Sequence, residues 1–259
     1  MSYVDLHLHL LPGVDDGAPD EAEAIAYARR LTAEGVRDVT VTPHVNEYWG
    51  LEVHTITERV AALTASLREH GICVRVRPGG ELDARFARGL TDAELELIAQ
   101  GPPGSRWLLV EAPFRGLDDE FAADCAALAE RGFAAVLAHP ERAAGATEPA
   151  GIAALHALLA GGAVAQVNVC SLLGNNGLCV QETAVALLRS GLAYVIASDG
   201  HPGTRDHTVA LGFVLAQRAG ASSVQAWRLT QANPRFLLAH GIPSVPSPAT
   251  AAALALAID

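Results

Sequence analysis

Ten histidines stand in this chain of 259 residues, and five of them (His7, His9, His44, His139 and His201) fall where short apolar runs give way to acids. Around them lie Asp15-Asp16-Gly17, Thr42-Pro43-His44, Gly79-Gly80-Glu81, Glu111, Ala138-His139-Pro140-Glu141-Arg142 and Ser198-Asp199-Gly200-His201. Imidazoles and carboxylates gathered in one place hold divalent metal ions, and nitrogen and oxygen donors without thiolate suit manganese, iron or zinc. One ion does not need so many ligands. Two or three ions do, because bridging carboxylates offset the repulsion between dications roughly 3.5–4 Å apart. A lone histidine at such a place is more often a structural hydrogen-bonding group, but five of them, each beside acids, are not explained that way. The remaining His54, His70, His156, His207 and His240 read as structural.

The first run shows the geometry. In Tyr3-Val4-Asp5-Leu6-His7-Leu8-His9-Leu10 polar and apolar residues alternate at period two, as they do along a strand. Val4, Leu6, Leu8 and Leu10 are then expected to face helices, with Asp5, His7 and His9 pointing inward. Two imidazoles at i and i+2 on one face can chelate one ion. A merely polar barrel interior would also account for that pair taken alone.

Strands positioning these groups are predicted at Tyr3–His9, Asp38–Thr42, Cys73–Pro78, Trp107–Glu111, Ala134–Ala138, Val164–Val169 and Ala193–Ser198. Helices are predicted between them at Asp20–Glu34, Thr55–His70, Asp92–Gln100, Asp118–Arg131, Pro149–Ala160, Gln181–Arg189 and Thr208–Gly220. Strict alternation gives a parallel sheet with right-handed crossovers, and this number of units closes into a barrel; a doubly wound open sheet is the competing architecture. Six of the seven strands would deliver a carboxylate or imidazole to their C-terminal rim, the end where such barrels build active sites. No linker divides the chain. One domain is expected over residues 1–243, including a short helix ending near His240, followed by a Pro/Ala-rich tail over 244–259.

Composition narrows the function. The net charge of −11 argues against a nucleic-acid partner and against docking on anionic lipid, both of which need a basic footprint. No apolar run is long enough for a membrane span, and the start lacks a signal-peptide pattern, so a cytoplasmic protein is expected. Cys73, Cys125, Cys170 and Cys179 form no metal-type pair and are expected to be reduced, mostly buried thiols. No phosphate-binding Cys-x5-Arg loop is expected among them, which sets aside a covalent cysteinyl-phosphate route.

Taken together, His7-x-His9, the DDG after the first strand, TPH, G-x-E, the acid ending the fourth strand, AHPER and SDGH resemble the PHP (polymerase and histidinol phosphatase) superfamily. The opening HLHLLPGVDDGA is most similar to its bacterial capsule-type, CpsB/CapC-like protein-tyrosine phosphatases, and the resemblance runs from Tyr3 to about Pro243. It implies an α/β fold, a distorted (β/α)7 barrel with up to three divalent ions, manganese first and iron or zinc as alternatives. By motif, His7, His9, Glu81 and Asp199 would hold one ion; Glu81 would bridge to a second, completed by Glu111 and His139; Asp16, His44 and His201 would hold the third. Asp15 could trade places with Asp16. Arg142 and Arg205 would grip phosphate. Gly200, where relatives often carry a larger residue, is expected to loosen its loop.

The implied activity is that of a phosphatase acting on a phosphotyrosine-bearing protein, the tail of an autophosphorylated tyrosine kinase in capsule or exopolysaccharide regulation. The expected nucleophile is a hydroxide bridging two metals, attacking phosphorus in line while the arginines neutralise charge. Tyr48 and Trp49 would pack on the phosphotyrosine ring or merely anchor their loop. A histidinol-phosphate phosphatase or another small-molecule phosphoesterase is the alternative. A non-catalytic binding domain is disfavoured because every ligand position is filled.

Overall fold

The computed structural model describes residues 2–242, and the expected tail over 244–259 lies outside them. Strands β1 (Tyr3–Leu8), β2 (Val36–Val41), β3 (His44–Val45), β4 (Arg75–Pro78), β5 (Glu81–Asp83), β6 (Arg106–Glu111), β7 (Phe133–Ala138), β8 (Val164–Asn168) and β9 (Ala193–Ala197) pair in parallel throughout. They form two sheets, β1-β2-β4 and β3-β5-β6-β7-β8-β9.

The two sheets are arcs of one ring. After β2 the chain resumes as β3, beyond Pro43, which has no N–H to give a ladder. After β4 it resumes as β5, beyond Gly79-Gly80, where a Cβ on Gly79 would come within 2.5 Å of the Thr40 methyl. At the other border the Asp199 N–H donates to the His7 carbonyl at 2.9 Å, and the His9 N–H to that of Gly200 at 3.0 Å. Seven strand positions thus surround an interior, as expected, but the ladder around them is interrupted rather than continuous. That is the distortion.

Helices α1 (Glu21–Ala33), α2 (Ile56–Glu69), α3 (Asp92–Ile98), α4 (Asp119–Glu130), α5 (Pro149–Ala160), α6 (Val169–Leu173), α7 (Leu178–Arg189), α8 (Val209–Arg218), α9 (Ser223–Trp227) and α10 (Asn233–His240) follow the strands. Asp20 and Asp118 cap α1 and α4 by accepting from the Glu23 and Phe121 backbone N–H groups, the role their side chains suit best. The sequence misses α6 because β8 turns into it at Asn168, inside a run with strand character up to Val169. It also misses α9 and the π-type turn Arg228–Ala232 that leads into α10.

Alternation along the strands divides the core. Leu108, Val110 and Leu137 pack outward in the larger apolar cluster, with helix residues such as Leu31, Ile56 and Leu67. Trp107, Leu109 and Val136 pack inward with Tyr194 and Val195, and α10 closes that interior with Leu237. The Trp107 indole N–H donates to the Leu237 carbonyl at 3.0 Å, and the Asn233 amide to that of Tyr194 at 2.8 Å.

Strand β1 departs from the expected alternation. Leu8 and Leu10 do join the outer cluster, but Val4 and Leu6 join the inner one. The cause is an irregularity between Asp5 and Leu8, where three steps on β1 oppose two on β2. Asp5 belongs to none of the metal-type groups. Its Oδ1 instead accepts from the Ser198 N–H at 3.0 Å and the His7 N–H at 3.4 Å, satisfying donors that the irregularity frees from the ladder. Among the described residues no helix is long and apolar enough to cross a membrane.

Candidate metal centre

Every imidazole and carboxylate singled out in the sequence reaches one rim, at the C-terminal ends of the strands. His7 closes on His9 at the end of β1, Asp16 follows in the first loop, His44 opens β3, Glu81 opens β5, Glu111 ends β6, His139 follows β7, and Asp199 and His201 follow β9. Three overlapping groups form there, each with donor atoms within 4.8 Å of one another: His7, His9, Glu81 and Asp199; His9, Asp16, His44 and His201; and His44, Glu81 and Glu111.

Glu81 is the hub. Its Oε2 lies 3.2 Å from His7 Nε2, His9 Nε2 and His44 Nδ1, and its Oε1 lies 2.7 Å from His139 Nε2. Asp199 Oδ1 stands 3.4 Å from His7 Nε2 and 3.5 Å from His9 Nε2. Asp16 Oδ1 reaches His44 Nε2 at 3.4 Å and His201 Nε2 at 3.2 Å. The grouping differs from the expected one in two respects. The group around Glu111 draws in His44 rather than His139, because His139 is engaged with the opposite oxygen of Glu81. His9 belongs to two groups instead of one.

The donor set fits a cation. His7 Nδ1 lies 2.9 Å from Gln166 Oε1, and His9 Nδ1 lies 2.7 Å from Asp15 Oδ2, so each imidazole has an acceptor for its Nδ1 proton. Both Nε2 atoms are then turned to one spot, 3.3 Å apart and fully buried beside the carboxylates, where either protons or a metal ion must balance the negative charge. His139 Nδ1 is buried without a hydrogen-bond partner, and His44 Nδ1, though 3.2 Å from Glu81 Oε2, makes no hydrogen bond to it. Asp15 and Asp16 accordingly divide the work: Asp16 joins the metal-type group, while Asp15 orients His9 and accepts from the His44 N–H at 3.0 Å.

The electrostatics of the metal-free rim follow. Burial opposes a charge on His9 and His44, but the facing carboxylates (Asp15 and Glu81 for His9, Glu81 and Asp16 for His44) hold each pKa up at about 9. Burial raises the Glu81 carboxyl, but the His7 and His44 charges together with hydrogen bonds to His139 and His7 bring it well below the usual range. Burial and the Glu81 charge push Glu111 up to about 7.

The backbone is strained at two of these positions. His139 (φ 37°) and Asp199 (φ 49°) are the described non-glycine residues in the left-handed region, each at a sharp turn that aims its side chain back over the ring. Gly200 does not loosen the next turn. A Cβ there would lie 2.1 Å from the Tyr27 hydroxyl, so glycine lets the loop close against α1.

Both arginines border the rim. Arg142 Nη1 approaches Asp199 Oδ2 at 3.4 Å, and its guanidinium sits 4.7 Å over the Phe114 ring. Arg205 lies across His201, with Nη2 2.7 Å from Nδ1 and 3.6 Å from Asp199 Oδ1. Trp49 stacks on His44, centroids 6.4 Å apart, with the exposed Tyr48 edge-on to it. On the other side Phe114, half exposed, stacks on His139 at 6.0 Å and borders a cavity of about 360 Å³ that Glu111 also lines. Phe114 escaped the sequence reading because a lone aromatic in a loop carries no periodic signal.

The thiols stand apart. Cys125 and Arg131 do have the Cys-x5-Arg spacing, contrary to expectation, but Cys125 lies within α4 and Arg131 just after it, where it pairs with Asp92 at 2.7 Å. Burial pushes the Cys125 thiol up to about 12, so it is no nucleophile. Cys170 is buried as well, whereas Cys73 and Cys179 are exposed, so only half of the thiols match the expected burial.

The capsular polysaccharide synthesis family CpsB/CapC matches residues 3–238 of this chain. The chain is similar to the tyrosine-protein phosphatase YwqE of Bacillus subtilis, 30% identical over 221 residues that cover 84% of this chain and 85% of that protein. It also superposes on a chain from the solved structures of YwqE from Bacillus subtilis and CpsB from Streptococcus pneumoniae, described as unique metal-dependent tyrosine phosphatases. That match has a TM-score of 0.76 and 26% identity, covering 91% of this chain and 94% of the other. Histidinol phosphate phosphatase of Lactococcus lactis, solved with zinc, L-histidinol and phosphate, superposes with a TM-score of 0.53 at 11% identity over 86% of this chain and 95% of its own, a likeness of fold alone.

Proposed function

This chain belongs to the CpsB/CapC family of capsular polysaccharide synthesis, and from that premise we propose that it is a metal-dependent protein-tyrosine phosphatase. The observation that carries the reading is the hub at Glu81, one carboxylate shared by four imidazoles, with two arginines at the neighbouring Asp199. His7, His9, Asp16, His44, Glu81, Glu111, His139, Asp199 and His201 would hold two or three divalent ions, manganese being our choice for the native metal. When bound, such ions supply Lewis-acid charge and lower the pKa of water into the neutral range.

The chain's own residues do the rest. Arg142 and Arg205 grip the phosphate oxygens, where phosphoryl transfer concentrates negative charge. The stack of Phe114 under Arg142 keeps that guanidinium from swinging into solvent. Phe114 and Trp49, on opposite sides of the donors, offer faces for the tyrosine ring. The cavity beside Glu111 and Phe114 receives the residues flanking it. A phenol leaves with a pKa near 10, so a tyrosine ester needs less acid assistance than a serine ester. We take the substrate to be the phosphorylated tail of a tyrosine kinase that regulates capsule or exopolysaccharide synthesis. A cytoplasmic setting goes with this reading, since the four cysteines stay free thiols.

The test is a side-by-side steady-state assay of matched phosphotyrosine and phosphoserine peptides and histidinol phosphate with manganese. We expect kcat/KM to favour phosphotyrosine by at least about tenfold, roughly 1.4 kcal/mol. Chelation should abolish the activity and manganese restore it. A preference for histidinol phosphate would sink the substrate reading, and activity that survives chelation would sink the metal-dependent one.

A further inference from the structure

Strand β8 holds the one of the seven ring positions whose strand brings no imidazole or carboxylate to the rim, yet it is not apolar. Its sequence Val164-Ala165-Gln166-Val167-Asn168 places two amides at period two, and both side chains are completely buried. Buried amides without partners are costly. Here each has a partner on both of its ends. His7 Nδ1 lies 2.9 Å from Gln166 Oε1, Gln166 Nε2 donates to Asn168 Oδ1 at 2.6 Å, and Asn168 Nδ2 donates to Asp199 Oδ2 at 2.7 Å.

The direction of this chain of bonds is forced from one end. An ionised carboxylate only accepts, so Asn168 must turn its NH2 toward Asp199 and its oxygen toward Gln166. Gln166 must then present NH2 to that oxygen, which leaves its own oxygen for His7. His7 must therefore carry its proton on Nδ1. Nε2 is thereby the ring nitrogen left to face Glu81 and Asp199, at 3.2 and 3.4 Å, and the one free to bind an ion. Asp199 in turn commits Oδ2 to Asn168, leaving Oδ1 to face His7 and His9. The relay is tied down at the backbone as well, since the Asn168 N–H donates to Glu141 Oε1 at 2.9 Å.

We propose that Gln166 and Asn168 are positioning residues, an amide relay across β8 that fixes the tautomer of His7 and the free oxygen of Asp199, so that two ligands of one ion are set together before the ion arrives. The inference rests on the metal-centre reading above. It assigns a role to the strand from which the rim takes no ligand.

The experiment compares full-length wild type with Gln166→Met, which keeps the shape and removes both hydrogen bonds, and Gln166→Glu, which still accepts from His7 but cannot donate to Asn168. Affinity for zinc and manganese is measured on metal-depleted protein by competition with a chromogenic chelator, and thermal midpoints are recorded in excess EDTA. Gln166→Met should weaken binding of the ion by about 10–100-fold, the usual effect of losing such an outer partner. It should lower kcat on a phosphotyrosine peptide with KM little changed, and leave the metal-free midpoint within a few degrees of wild type. Gln166→Glu should recover only part of the affinity, because it restores the acceptor for His7 but not the donor to Asn168. If Gln166→Met does not fold, Gln166→Asn, one methylene too short to span His7 and Asn168, should show the same loss. Wild-type affinity in a folded Gln166→Met, or wild-type affinity in Gln166→Glu, which cannot pass the relay on to Asn168, would overturn the relay. Wild type that takes up neither ion would overturn the metal centre itself, and the relay with it.

Discussion

The ring interior has two ends built from the same strands, and they could hardly differ more. Toward the strand N-termini β1, β6 and β7 contribute Val4, Leu6, Trp107, Leu109 and Val136, closed off by Leu237 of α10. Toward the C-termini β1 and β6, with the turn after β7, contribute His7, His9, Glu111 and His139, crowded around Glu81. The lower end gains stability from apolar burial. The upper end gathers carboxylates and imidazoles out of water, at a cost that is offset only when opposite charge is present. One end holds the fold so that the other can hold charge.

The strongest way to break that contrast is Glu81→Ala. Loss of the shared carboxylate should strip most of the metal and lower kcat/KM by at least about a thousandfold, roughly 4 kcal/mol. Elemental analysis beside a steady-state assay checks this, and full metal content in the variant would remove Glu81 from the centre. At the opposite end Trp107→Ala should cost about 3–4 kcal/mol in urea unfolding, through the cavity and the lost bond to Leu237. Its kcat at a temperature where it remains folded should match wild type. A folded but inactive variant would show that the two ends are not separable.

Arg142→Ala sharpens the comparison within the rim. Metal content should stay intact while kcat/KM falls about a hundredfold, about 2.7 kcal/mol, if its partner is the phosphate as proposed. Metal loss would instead make Arg142 part of the support for Asp199. The gentlest perturbation is pH. His9 and His44 are held up at about 9 in the metal-free chain, so below that pH an incoming ion must displace protons from them. Apparent metal affinity should rise as pH climbs from about 6 toward 9 and then level off, with proton release measurable in a weakly buffered titration. Affinity that does not change over this range would mean that these histidines are not ligands.

Much of this was legible in the sequence because it repeats. Strand–helix alternation, Asp20 and Asp118 at helix starts, and histidines and acids at strand ends all recur around the ring. What the sequence concealed are single events. Alternation in Tyr3–Leu8 reads straight through the irregularity at Asp5, because both of its halves look regular. Asp15 and Asp16 are indistinguishable until folding sends one toward His201 and the other to His9. Gln166 and Asn168 did leave a trace, the same polar period of two as His7-x-His9, but amides in a strand suggest no metal chemistry. Cys125 and Arg131 have the Cys-x5-Arg spacing expected to be absent, but along a helix it forms no phosphate loop.

The irregularity in β1 has a consequence for protein engineering. The histidine pair is not a portable three-residue motif. Val4 and Leu6 share the inner side with His7 across the irregularity, where Asp5 accepts from the backbone of its own strand and of Ser198. On a regular strand Leu6 and the imidazoles would take opposite faces, so a graft without Asp5 and a neighbouring strand end to receive it could not keep Leu6 in the inner core and the imidazoles at the rim together. The smallest transplantable unit therefore spans two distant stretches of chain, Val4–His9 and Ser198–Gly200, and a designer moving the first without the second would carry over the ligands and lose the direction in which they point.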